Sequence, residues 1–193
     1  MLRRLYDYTM GLAARPKATY FLAGVSFVES SVFPIPPDVM LIPMVLADRR
    51  RAWRIAFICS VFSVLGGLLG YMIGAVFFNL IGEAVIGFYG YQDKFASFQQ
   101  SYEEWGAWIV ALFGLTPFPY KVITIASGVV HLNLAAFIVA SVLSRSARFF
   151  LVAGLLYWFG EPIRAFIEKY LGILTLIFFV LLFGSFVLIK YMI

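Results

Sequence analysis

The chain is poor in charged residues and in cysteine, and both shortages exclude classes of protein. Of its 193 residues, 13% are charged and 63% are hydrophobic, whereas a soluble domain has about 25% charged and about 45–50% apolar residues. The single cysteine, Cys59, cannot form an intramolecular disulfide. The sequence contains no metal-ligand cluster, nucleophile–base pair, Walker loop or dinucleotide-binding glycine pattern. We therefore expect a polytopic membrane protein that is not an enzyme and uses neither a metal nor another cofactor.

Two of the long apolar stretches are broken by prolines and carry charges beside the breaks. Proline removes a backbone donor and stops a helix, and the carbonyl groups that it frees cannot be left facing lipid. Each break must therefore be buried in protein or line a cavity. A charge at membrane depth is costly and marks a pathway or a binding site. The prolines of the two breaks are Pro34, Pro36, Pro37, Pro117 and Pro119.

The apolar runs organise residues 1–193 into a single membrane domain of the all-α class. About 20 apolar residues are needed for a helix to cross a bilayer, and amphipathic segments lie on its surface. The sequence predicts an amphipathic N-terminal helix at 1–17, re-entrant hairpin 1 at 19–47, a span at 55–80, an interfacial region at 81–105, re-entrant hairpin 2 at 107–130, and spans at 134–158 and 171–189.

Basic residues on both sides of hairpin 1 support this topology. Four lie between residues 3 and 17, and four lie between residues 49 and 54. If 19–47 crossed the membrane, one group would lie outside, against the tendency of Lys and Arg to stay in the cytoplasm. A hairpin keeps both groups, and the N-terminus, inside. This orientation explains the net charge of +5 without nucleic acid. The same orientation places Lys94 and Lys190 outside, together with the C-terminus.

The two hairpins form an internal repeat. A shift of 83 residues aligns Pro34 with Pro117, Pro36 with Pro119 and Asp38 with Lys121. Because hairpin 2 enters from the opposite face, the repeat is inverted. Inverted repeats with broken helices that meet near the midplane are a recurring transporter design.

Glu29 and Asp38 are the acidic residues of hairpin 1. A lone carboxylate at membrane depth is protonated or paired, because loss of hydration disfavours its charged form. Glu29 is therefore either a proton site or a structural partner of a basic residue, with Arg145 and Arg148 as candidates. Asp38 opens the second arm, where a carboxylate can also cap the free amides of a helix start.

Lys121, Arg145 and Arg148 are the basic residues expected at membrane depth. Lys121 lies either at the tip of hairpin 2 or at the end of an ordinary span, from which a lysine can snorkel. Arg145 and Arg148 share a helix face, and arginine pairs bind phosphate in bidentate fashion; alternatively, the helix starts later and they line its end. With Glu29 and Asp38, the three leave a positive surplus that an anionic headgroup would balance. Protonation of either acid would enlarge this surplus, so a coupling proton is a candidate partner.

Gly66, Gly70 and Gly74 recur every four residues along the span 55–80. Small residues at this spacing let two helix backbones approach closely in a membrane. We expect this face to pack helices together, within the chain or in a homo-oligomer.

Three motifs point to a known family: Glu29-x4-Pro34-x-Pro36-x-Asp38; Thr116-Pro-Phe-Pro-Tyr-Lys121 followed by Ala126-Ser-Gly128; and Ser144-Arg-x-x-Arg148-Phe. Together they resemble the DedA family of VTT-domain membrane proteins, and most of all its small YqaA-like branch. The resemblance implies a multi-pass protein of the bacterial inner membrane with two opposed re-entrant hairpins.

The resemblance also implies lipid translocation with proton coupling, and undecaprenyl phosphate or phosphatidylethanolamine as substrates. Glu29 and Asp38 match the two acids of the family's first hairpin. Many members carry two arginines around the second proline break, whereas here Gly114 or Leu115 stands near the first position and Lys121 near the second. A single lysine is a weaker phosphate clamp than two arginines.

The sequence thus predicts an ATP-independent flippase or scramblase for a lipid that bears an anionic or zwitterionic phosphate headgroup. The alternative in the same class is a proton- or ion-coupled transporter of small solutes. The alternatives in other classes are a structural assembly factor that docks through the glycine face and a lipid-modifying enzyme. The lipid and ion readings alone explain why charges collect at both breaks.

The hairpin topology predicts that the two ends of 19–47 lie on the same side of the membrane. In a Cys59-free background, single cysteines at Arg15 and Ala52 should both be shielded from an impermeant thiol reagent added outside, because hairpin 1 returns to the cytoplasm. A cysteine at Glu104, in the region expected outside, is the labelled control. Labelling of only one of the first two would contradict the hairpin.

Overall fold

The computed structural model describes residues 18–32, 36–82, 86–88, 90, 92–116, 119–160 and 162, and within them all regular structure is helical. This confirms the predicted all-α class. The segments 1–17 and 171–189, and Pro34 and Pro117, lie outside the described residues. The helices are α1 (Ala18–Ser31), α2 (Asp38–Ala47), α3 (Ala52–Phe77), α4 (Gln92–Leu115), α5 (Tyr120–Val129) and α6 (Leu134–Gly160).

Among the described residues, two helices are long and apolar enough to cross a membrane. α3 has a 3₁₀ turn before it and a π-helical turn after it, and together they run for 34 residues over Arg49–Gly82; α6 has 27 residues. At 1.5 Å per residue these lengths are about 51 Å and about 40 Å, against a hydrocarbon core of about 30 Å. In the apolar window of each helix 33% of the residues are buried. Most of this apolar surface therefore faces outward, as contact with lipid requires.

The helices beside the breaks are shorter. α1 has 14 residues and α2 and α5 have 10 each, which correspond to about 21 Å and about 15 Å. None of the three reaches across a hydrocarbon core alone. α1 ends before the prolines at 34–37, and α5 begins directly after Pro119, so the helix ends coincide with the residues that cannot donate a backbone hydrogen bond.

Helix α4 continues through residues 105–107, where the sequence suggests that an interfacial region gives way to hairpin 2. Tyr102, Gly106, Val110 and Gly114 are all buried and lie four residues apart. They form one buried stripe that is in register on both sides of that boundary. The polar residues 103 and 104 lie on the exposed face, so the change of composition does not mark a helix end.

Helix α3 packs against α1 and against α5, and the predicted glycine face forms both contacts. A Cβ atom at Gly66 would overlap the carbonyl group of Phe27 in α1, and one at Gly74 would overlap the carbonyl group of Ile125 in α5. Gly70 lies against Thr124. Backbones at this distance gain Cα–H···O contacts that a larger residue would prevent. The glycine face is thus used within the chain.

Two apolar clusters fill the interior, one beside each break. The first combines residues of α1 and α2 with the start of α3 and the end of α6, including Leu22, Leu41 and Phe149. The second combines residues of α4 and α5 with the start of α6, including Tyr120 and Phe137. Since α3 and α6 run past both clusters, the charged residues of α6 between them face both breaks.

The backbone contact between α1 and α3 predicts a specific loss of stability. Gly66→Ala should destabilise the protein by about 1–3 kcal/mol, because the added methyl group forces the two backbones apart. Gly24→Ala is the matched control, since a Cβ at Gly24 of α1 would meet nothing within 4 Å. Thermal unfolding of both variants in detergent is monitored by size-exclusion chromatography. An unchanged transition for Gly66→Ala would rule out the close contact.

Candidate functional site

The five charged residues singled out in the sequence lie around the two breaks. Glu29 is in the last turn of α1, Asp38 is the first residue of α2, and Lys121 is the second residue of α5. Arg145 and Arg148 lie near the middle of α6, one turn apart. The position of the arginines well inside α6 excludes the reading in which that helix starts later and they line its end.

Arg145 forms the most deeply buried of these interactions. Its side chain has no exposed surface, and its Nη2 donates to Oε2 of Glu29 at 2.9 Å. Its Nε donates to Oγ of Ser63 in α3 at 2.6 Å. Ser30 lies 2.7 Å from the Ser63 hydroxyl and donates to Glu29 at 3.1 Å. Of the two arginines that the sequence offers to Glu29, the structure selects Arg145, and the pair connects α1, α3 and α6.

Aromatic rings enclose the Arg145 guanidinium on two sides. Its central carbon lies 4.6 Å from the ring centre of Tyr120 and 4.8 Å from that of Phe149. A cation over an aromatic face is stabilised by the ring quadrupole, and more strongly away from water. The Tyr120 hydroxyl donates to Ser141 at 2.5 Å, which holds its ring. Because Tyr120 and Phe149 belong to different apolar clusters, Arg145 lies at their junction.

Arg148 connects the two breaks directly. Its Nη2 donates to Oδ2 of Asp38 at 2.5 Å, and its Nη1 donates to the carbonyl oxygen of Thr116 at 2.8 Å. Asp38 therefore does not act as the helix cap that the sequence also allowed. The cap position is held by Pro37, with no side-chain cap hydrogen bond. Asp38 still places a negative charge in the first turn of α2, where the helix dipole favours it.

Carbonyl groups that lose a partner to proline receive donors from elsewhere. In an α-helix the carbonyl of residue i accepts from the amide of residue i+4, and Pro34 and Pro36 have no amide hydrogen for Ser30 and Val32. The Thr124 hydroxyl shares its one hydrogen between the Ser30 carbonyl at 3.1 Å and the Lys121 carbonyl at 2.9 Å. Lys121 Nζ donates to the Val32 carbonyl at 3.2 Å.

The second break follows the same rule. Pro117 cannot donate to the carbonyl of Phe113, and the Thr116 hydroxyl donates to it at 3.0 Å. Side chains of α5 thus replace amides that are missing after α1, and the Thr116 hydroxyl replaces one that is missing at the end of α4.

Both ion pairs retain a buried atom without a hydrogen-bond partner. Within the part of the chain that the structure describes, these atoms are Nη1 of Arg145 and Oδ1 of Asp38. Buried polar groups in folded proteins are nearly always paired, and a half-satisfied charged network is less stable than a complete one.

Lys121 differs from the two arginines because no carboxylate of the described residues pairs with it. Among the described residues its partner is the Val32 carbonyl, whereas Glu29 and Asp38 are both bound to arginines. The sequence predicted the positive surplus, and the structure assigns it to Lys121 at the meeting of the two breaks. Within the described ranges, no three His, Cys, Asp or Glu side chains form a group that could hold a metal ion.

Sequence reasoning missed the hydroxyl groups that complete the site. Ser30 and Ser63 link the Glu29–Arg145 pair, and Thr124 replaces a missing amide. Their signal is present in the sequence: Ser26 and Ser30, and likewise Ser60 and Ser63, repeat at helical spacing within apolar helices. Small hydroxyl residues at that spacing favour hydrogen bonds between membrane helices.

Comparisons with known proteins agree with this architecture. The VTT domain family matches this chain over residues 35–158, which is well over half of its length. An uncharacterized protein of Haemophilus influenzae is 39% identical over 170 residues, covering 88% of each chain. An uncharacterized homologue from Histophilus somni is 38% identical over 161 residues, covering 83% of this chain and 84% of its own. No solved structure matches. With two helices of membrane length among the described residues and a domain match that runs from the first break to residue 158, the chain belongs to the VTT-domain, or DedA, family of membrane proteins.

Proposed function

We propose that this protein moves a phosphate-bearing lipid between the leaflets of the bacterial inner membrane, without ATP and without chemical change to the lipid. The observation that carries the proposal is the positive charge of Lys121, which has no carboxylate partner among the described residues and lies where the two helix breaks meet. A charge at such a place is costly and is retained when it serves a substrate. A lipid phosphate supplies the missing negative charge.

The unsatisfied atoms of the two ion pairs support a working site over a fixed structural one. A purely structural pair is stable when all of its donors and acceptors are bound. Arg145 and Asp38 each keep one atom unbound, so neither pair is at its most stable arrangement. In the proposal, the carboxylates of the two pairs are the candidate acceptors of a coupling proton.

The proposal includes the hairpin topology. In it, residues 19–47 and 107–130 enter from opposite faces as an inverted repeat, with the N-terminus in the cytoplasm. The short helices α1, α2 and α5 and the hydrogen bonds that join the two breaks support this arrangement. The glycine face does not favour an assembly factor, because α1 and α5 occupy it.

Reconstitution in liposomes tests the function. The purified protein is incorporated with a trace of lipid labelled on an acyl chain, so that the headgroup is unchanged, and dithionite is added to destroy the label in the outer leaflet. Translocation increases the destroyed fraction beyond the outer half. Protein-free vesicles and heat-inactivated protein are the controls. If the destroyed fraction for every phosphate lipid tested equals that in protein-free vesicles, while an ion or solute flux appears, the protein is a small-solute transporter.

Removal of a basic group from the site should impair lipid handling. Lys121→Ala and Arg148→Ala should each weaken binding of an anionic lipid, because each removes a charged partner from a partly buried site. The loss of one partner from a fully buried charged site costs about 2–5 kcal/mol, which sets the upper range here. This corresponds to about a 30- to 4,000-fold loss of affinity at 1.4 kcal/mol per decade. Titration of the detergent-solubilised protein with a short-chain labelled lipid measures it.

The matched control for this experiment is Arg54→Ala. Arg54 is an exposed residue in the first turn of α3, so this variant removes the same charge away from the breaks. It should bind the lipid like the parent. Equal losses in all three variants would mean that net charge, and not the site, governs binding. Parental affinity in both site variants would reject the phosphate site.

A further inference from the structure

Charge counting at the two breaks carries an inference about the lipid itself, and it rests on the proposed function. The five residues of the site contribute three positive charges and two negative charges. Arg145 forms an ion pair with Glu29 at 2.9 Å, and Arg148 forms one with Asp38 at 2.5 Å. Lys121 alone has a carbonyl oxygen in place of a carboxylate. At rest the site therefore has an excess of one positive charge.

From this balance we infer that the site accepts a phosphodiester lipid with one negative charge and an uncharged polar headgroup. One phosphodiester neutralises one lysine. Lys121 is partly buried. At membrane depth each further charge without a partner is disfavoured, so a match of one to one is the stable occupancy.

A phosphomonoester does not fit this balance. It carries about −1.5 to −2 charges at pH 7, with its second ionisation near pH 6. The second charge would have to compete with Glu29 for Arg145 or with Asp38 for Arg148. Arg145 is fully buried between two aromatic rings, and its bond to Glu29 is completed by Ser63 and Ser30. Arg148 is likewise bound, through one nitrogen to Asp38 and through another to the Thr116 carbonyl. Both arginines therefore already have partners, and neither supplies the second cation.

A zwitterionic headgroup is also disfavoured. Its ammonium group needs a carboxylate, and the site's two acids are already paired with arginines. The unpaired Oδ1 of Asp38 is buried, so a headgroup amine does not reach it. The site thus offers one cation for a phosphate and no anion for an amine.

The test compares lipids that share acyl chains and differ only in headgroup. Acyl-labelled phosphatidylglycerol, phosphatidic acid, phosphatidylethanolamine and phosphatidylcholine are assayed separately in the dithionite experiment at pH 8, where the monoester is doubly charged. Phosphatidylglycerol should move about tenfold faster or more than each of the others, a difference of about 1.4 kcal/mol. Equal rates for the diester and the monoester, or faster movement of the zwitterionic lipids, would overturn the inference and leave translocation itself established.

Two substitutions at Lys121 separate its charge from its hydrogen bond. Lys121→Gln keeps a donor for the Val32 carbonyl but removes the charge, and it should lower phosphatidylglycerol movement to the level of phosphatidylcholine. Lys121→Arg keeps both the donor and the positive charge, and it should preserve the preference for phosphatidylglycerol. If the preference survives in Lys121→Gln, another group selects the headgroup and the inference is wrong. If no lipid moves in the parent protein, the proposed function fails, a result distinct from a loss of selectivity.

Discussion

Proline placed in an apolar helix leaves carbonyl oxygens without donors, and the satisfaction of those oxygens organises this protein. Ser30 and Val32 lie four residues before prolines, so an unbroken helix could not have paired their carbonyls. Thr124 and Lys121 replace the missing amides. Because lipid offers no hydrogen bonds, α1 and α5 are held together by a requirement of the backbone, and the helix breaks come to lie next to each other.

The same requirement explains why fold and site cannot be separated in this chain. Arg148 binds the Thr116 carbonyl of one break and Asp38 of the other, and Arg145 lies where the two apolar clusters meet. Each cation stabilises the structure and also contributes to the charge that a lipid would encounter. A loss of activity in a variant of these residues is therefore informative only beside a measurement of folding. Conservative substitutions such as Lys121→Gln carry more weight than truncations for this reason.

Close backbone packing is the second condition that the architecture needs. Gly66 and Gly74 let α3 approach α1 and α5 until carbonyl groups lie against its glycines. At that distance the short hydroxyl side chains of Ser30, Ser63 and Thr124 reach their partners across the helix contacts. Larger residues on α3 would separate the helices. The carbonyl groups at the breaks would then lose their donors, and Arg145 would lose its acceptors. The glycine spacing predicted close packing, but it did not predict that both faces of the contact lie within one chain.

The sequence by itself determined the all-α membrane class, the places where helices stop and the charges beside them, since hydropathy and the missing amide of proline act locally. It did not determine the continuity of α4, where one buried stripe persists across a change of polarity. Tertiary structure alone decided that Glu29 pairs with Arg145 and Asp38 with Arg148. It also decided that Lys121 faces a carbonyl group. These contacts join residues 116, 110 and 89 positions apart. The charge pattern allowed either arginine for Glu29, because both lie on one face of α6. The choice depends on where α1 and α2 meet that face, which only the packed helices define.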